Sequence, residues 1–156
     1  MKKEEIIAKI RTSSLIIGIV CTVAAAVQGV FVLPTQMQYA QTASGGEAKA
    51  ILIGTIFSGA VDVVILLLAA VMFFWMSRSG RPFTPKKIWI VLLIAALMFL
   101  KAIVPSLLLT GSAGSLVKGY AYFLTRASLI EGLLFLFVAL TMYYASMLQQ
   151  KSDETL

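Results

Sequence analysis

The sequence predicts an all-α integral membrane four-helix bundle, and three observations carry that prediction. Of its 156 residues, 60% are hydrophobic and 13% charged, against roughly 45–50% and 25% in soluble domains. Four apolar stretches, about 13–33, 51–76, 88–109 and 120–147, are each long enough for a bilayer core of about 30 Å at about 1.5 Å per residue. Lysine and arginine cluster in alternate connections, as they do where loops alternate between the two sides of a membrane. The four spans use nearly the whole chain, so residues 1–156 are read as a single membrane domain.

Composition also excludes chemistry. The chain has no histidine and one cysteine, Cys21. Zinc sites of the usual His/Cys type, Ser-His catalysis and an intrachain disulfide are therefore excluded. No cofactor and no metal are expected, and nothing points to an enzyme. The net charge of +6 reads as membrane topology, because no basic face with its own fold is visible for nucleic acid.

Residues 1–12 are charged and mildly amphipathic, with Ile6, Ile7 and Ile10 on one helical face. They read as a lead-in to the first span, Ser13 to Leu33, with Pro34 as its stop. Lys2, Lys3, Lys9 and Arg11 resemble the basic start of a signal peptide. Glu4 and Glu5 oppose that, as does an apolar run continuing to Leu33, so a retained helix is expected. Val20 before Cys21 makes a poor lipoprotein site. Residues 34–50 read as a polar loop with a turn at Gly45-Gly46, and Glu47 to Ala50 could start the next helix.

The second span places Thr55, Ser58, Gly59 and Asp62 on one helical face. Small and polar residues on one face favour close helix packing, and Asp62 argues that this face looks into the bundle. In the connection Ser77 to Lys87, Thr84 suits an N-cap and Pro85 the first helical position. Phe83 and Ile88 have the spacing of a hydrophobic staple. The third span carries Lys101 near its middle, and Pro105 one turn on predicts a kink. Residues 110–119 read as a small-residue loop. In the fourth span Tyr120 and Tyr122 mark one interface, Tyr143 and Tyr144 the other.

Orientation follows from the cations. Four lie in the N-terminal segment, and Arg78, Arg81, Lys86 and Lys87 lie in the middle connection. Lys49 and Lys118 stand alone in the other two connections. Both termini are expected in the cytosol.

Asp62, Lys101 and Glu131 carry the only chemical content. Counted at about 1.5 Å per residue, all three fall near mid-span. A charge there costs roughly 2.5–3.5 kcal/mol on insertion scales unless a partner or water offsets it. Arg126 and Gln28 lie in the outer half, and Ser58 is near enough in depth to join. The candidate binding residues are therefore Asp62, Lys101, Glu131, Arg126, Gln28 and Ser58. As a structural layer, Asp62–Lys101 and Arg126–Glu131 would neutralise each other in pairs. As a functional layer, the carboxylates would take up protons or cations in competition with the lysine.

The stretch Ser79-Gly80-Arg81-Pro82-Phe83-Thr84-Pro85 before a long apolar helix resembles a feature of one bacterial family. Its members are small four-span membrane proteins, often encoded beside a helix-turn-helix regulator. Their corresponding loop is of the form Gly-x-Pro-Phe-Ser/Thr, usually followed by Glu-Asn; here Pro85-Lys86-Lys87 follows. Their acidic tails end in Asp-Leu-Thr-Ile/Val, which Asp153-Glu154-Thr155-Leu156 matches loosely. The resemblance implies a bacterial inner-membrane location and a role near a transcriptional switch, but no activity.

The leading expectation is a non-enzymatic protein of regulatory, accessory or immunity type. Its partners are membrane lipid and another membrane protein or further copies of itself. The alternative is a small transporter with a proton- or cation-linked site at mid-membrane.

Overall fold

In a computed structural model, residues 3–42, 45–80, 84–109 and 115–154 are described, and all are helical except Gly45, Gly80 and Thr84. The helices are α1 (Lys3–Val27), a π turn (Gln28–Val32), α2 (Leu33–Thr42), α3 (Gly46–Ser79), α4 (Pro85–Leu109) and α5 (Ser115–Glu154). Four segments are long and apolar enough to cross a membrane: Ile7–Tyr39, Ala48–Ser79, Pro85–Pro105 and Thr125–Leu148. The all-α four-helix architecture read from the sequence is the architecture observed.

Pro34 does not end the first helix as expected. The chain stays helical to Thr42. Proline in a helix interior lacks an N–H donor, and its ring presses on the carbonyl four residues back. Here the π turn lies directly before it, and Leu33 N–H reaches Gln28 O, five residues back. That wider turn makes room for the ring. Thr35 Oγ1 donates to Phe31 O at 2.6 Å, supplying a donor to a carbonyl beside the disturbed ladder. Residues 34–42 of the expected polar loop are thus helix, and α3 begins at Gly46, beside the start that Glu47 to Ala50 offered. α5 likewise starts at Ser115, inside the expected loop 110–119.

The α3–α4 connection is built as its residues dictate, where it is described. Gly80 closes α3 at φ +62°, with its N–H on Met76 O at 2.9 Å. That left-handed backbone suits glycine. A Cβ there would lie 2.9 Å from Ile7 Cγ2 and 3.1 Å from Arg11 Nε, so the start of α1 packs on this turn. Thr84 O accepts from Lys87 N–H and Ile88 N–H, as an N-cap carbonyl does. Arg81 and the staple residue Phe83 lie outside the described residues; Ile88 is buried.

Among the described residues, α1 packs on α3, α3 on α4, and α4 on α5, with a narrow contact between α3 and α5. α1 touches neither α4 nor α5, so the bundle is open on one side. α3 and α4 form its buried middle, and α1 is the least covered. Glycines permit the close approaches. A Cβ at Gly18 would meet the Phe74 ring at 3.1 Å, and one at Gly132 the Phe99 ring at 3.3 Å. Two apolar clusters fill the middle: Val61, Ile65, Ile94 and Met98, then Met72, Ile88, Val91, Ala139 and Met142.

Candidate functional site

α3 has three differently employed faces. Gly59, Val63 and Phe74 look toward α1 and its continuation, and Val61 and Ile65 toward α4. At 100° per residue, Thr55, Ser58 and Asp62 fall between those two faces. They form a polar seam; Gly59, expected on the same face, turns toward the continuation of α1 instead.

Lys101 of α4 meets Asp62 across this seam, with Nζ 2.7 Å from Asp62 Oδ1. The lysine side chain is 13% exposed and the aspartate 34%. The two members of the pair are therefore not equivalent. The cation is nearly enclosed, whereas the carboxylate keeps an open side.

The rest of the anticipated layer does not assemble around this pair. Glu131 and Arg126 are both exposed on α5, and among the described residues neither joins a salt bridge. The reason is helix geometry. Ser128, Gly132, Ala139 and Met142 are the buried face of α5, with Gly132 close against Met98 and Phe99 of α4. Glu131 lies about 60° off that face, and Arg126 lies about 140° from Glu131, too far round to pair with it. Residue type and position along each helix were legible from the sequence. Azimuth was not, because it depends on which side of α5 seats on α4.

Gln28 and Ser58 do reach the seam. Gln28 opens the π turn, and its Nε2 lies 3.3 Å from where a Gly59 Cβ would stand. Gln36 Oε1 lies at the same distance from that point. Gln36 was hidden from sequence reading because residues 34–50 read as a loop. Ser58 is 6% exposed, and among the described residues its Oγ has no hydrogen-bond partner; Gln36 Oε1 is likewise buried without one. Unpaired buried oxygens cost about 1–3 kcal/mol each unless something fills the site. Two such oxygens therefore lie within a turn or so of the half-open Asp62 carboxylate.

Pro105 is fully buried and α4 continues past it to Leu109. It leaves Lys101 O without its usual helical donor. One residue on, Thr125 Oγ1 of α5 donates to Ala102 O at 3.1 Å. That bond ties α4 to α5 beside the Lys101 turn.

No protein-family model, curated protein or solved structure matches the chain.

A metal centre is not built. Among the described residues, no three His, Cys, Asp or Glu side chains converge. Cys21 is a half-buried free thiol on α1. Tyr143 and Tyr144 are exposed and meet edge to face at 6.0 Å. The Tyr120 and Tyr122 side chains lie outside those described.

Proposed function

We propose that this chain is a small, non-enzymatic inner-membrane protein of bacteria that acts by pairing with another membrane protein through α5. The observation that carries the reading is Glu131. It lies within the apolar segment Thr125–Leu148. It is exposed there, joins no salt bridge among the described residues, and is flanked by exposed Ile130, Leu134 and Val138. A carboxylate facing hydrocarbon carries a cost of a few kcal/mol, and a lysine, arginine or amide on a facing helix removes it. Two α5 helices related by a twofold axis would set two Glu131 side chains at one depth. Like charge opposes that, so a different chain is the favoured partner.

The test is site-specific photo-crosslinking in native membranes. Probes at Ile130, Leu134 and Val138 should give one discrete adduct that Glu131→Gln abolishes. Probes at Val20 and Val23 of α1 should not give it. An adduct indifferent to Glu131→Gln would sink the reading.

A second reading, a small transporter, has its own support in the seam. Asp62 keeps an open side, and Ser58 Oγ and Gln36 Oε1, buried without a partner among the described residues, lie about one helical turn away. A proton or small monovalent cation would compete with Lys101 for the carboxylate. In proteoliposomes this reading expects Asp62→Asn to abolish flux and Glu131→Gln to leave it intact. Equal flux in all three proteins would remove it.

A further inference from the structure

A separate feature lies where α3 ends and α4 begins. A cavity of about 400 Å³ is lined by Trp75, Arg78, Ser79, Thr84, Lys86 and Lys87. Three of these residues are cations, two carry hydroxyls, and none is acidic. Lys87 is 3% exposed, and its Nζ donates to Ser79 Oγ at 2.7 Å. Arg78 and Lys86 are exposed and stand at the rim.

Lys86 and Lys87 occupy the first turn of α4, which holds no acidic residue. The positive end of a helix dipole disfavours cations there and favours an anion. Two lysines at that end, with Arg78 converging from α3, concentrate positive potential on one opening.

The surface below the cavity is equally specific. Val64, Leu67, Val71 and Trp75 of α3 are all exposed. Their spacing of three and four residues makes one stripe, and Arg78 continues it at the next step. An apolar stripe capped by a cationic, hydroxyl-lined opening matches a molecule with an anionic head and an acyl tail.

We propose that this cavity binds the phosphate of an anionic phospholipid, with its acyl chain lying along the Val64–Trp75 stripe. Arg78 and Lys86 contact the phosphate from the rim, and Lys87, held by Ser79, supplies fixed positive charge behind it. The stripe favours a lipid over a soluble phosphate, since a free anion would gain nothing from it. The proposal stands apart from the α5 reading and uses none of its residues.

Native mass spectrometry of the purified chain tests it, with phosphatidylglycerol or phosphatidylcholine added to detergent. The chain should retain one phosphatidylglycerol at least tenfold more tightly than phosphatidylcholine. Arg78→Gln/Lys86→Gln alters only exposed side chains and should erase that preference with the thermal midpoint unchanged. Lys9→Gln/Lys151→Gln removes the same charge elsewhere and should keep it. Equal loss in both double variants would mean general charge attraction and overturn the site, as would full retention by Arg78→Gln/Lys86→Gln. Displacement of the lipid by submillimolar inorganic phosphate would assign the cavity to a soluble anion and overturn the lipid.

Discussion

The Asp62–Lys101 contact decides most at the scale of single residues, because its partners differ in burial. Removing the carboxylate strands a nearly enclosed ammonium, whereas removing the ammonium leaves a carboxylate already one-third exposed. Stranding the more buried charge is the costlier change. Asp62→Asn should therefore destabilise by about 2 kcal/mol and Lys101→Met by about 1 kcal/mol, with the double variant losing less than the sum. A double-mutant cycle of unfolding in detergent checks the order, and a costlier Lys101→Met would contradict it. Gly80 makes a second case. An alanine there meets both a left-handed backbone and the Ile7 side chain. Gly80→Ala should cost about 1–2 kcal/mol, and Ile7→Ala should recover part of it in the same thermal assay. No recovery would assign the whole cost to the backbone.

Individual elements show where the chain departs from simple patterning. The two interior prolines meet different surroundings. Pro105 is buried inside α4, and three residues before it Ala102 O accepts from Thr125 of α5. At Pro34 the expected helix end is absent, because a π turn absorbs the ring. A local rule for proline describes a steric conflict, and neighbouring turns decide how that conflict is resolved. Thr125→Val should lose one interhelical hydrogen bond, about 0.5–1.5 kcal/mol, and speed amide exchange in α4 beyond Lys101. Unchanged exchange there would show that the tie is idle. The π turn also explains why Gln36 escaped sequence reading. Helix α2 exists only because the chain continues past Pro34, and it delivers Gln36 to the Gly59 notch.

On the scale of the whole molecule, the open arrangement has consequences. Among the described residues, α1 packs across the bundle on α3 alone, through Gly18, and its continuation does so through Gly29 and the Gly59 notch. Gly18→Leu should therefore loosen α1 while the α3–α4–α5 unit stays folded. Limited proteolysis and hydrogen exchange would show α1 released first, and simultaneous loss of all helices would argue for a closed bundle. The basic start of α1 meets the α3–α4 turn through Ile7, Arg11 and Gly80. The N-terminal segment and the basic connection therefore share one end of the bundle. Reporter fusions should find the two termini and the connection 80–84 on the cytosolic side.

Helix count, approximate spans and the identity of the charged residues follow from sequence alone. They depend on one-dimensional quantities, namely apolar length, residue type and depth along a helix. Which charges meet was decided only in three dimensions. Asp62 and Lys101 face each other because α3 and α4 pack along Val61, Ile65, Ile94 and Met98. Glu131 does not join them because α5 turns Ser128 and Gly132 toward α4 instead. Rotation about a helix axis is set by the neighbouring surface, and no count along the chain contains it.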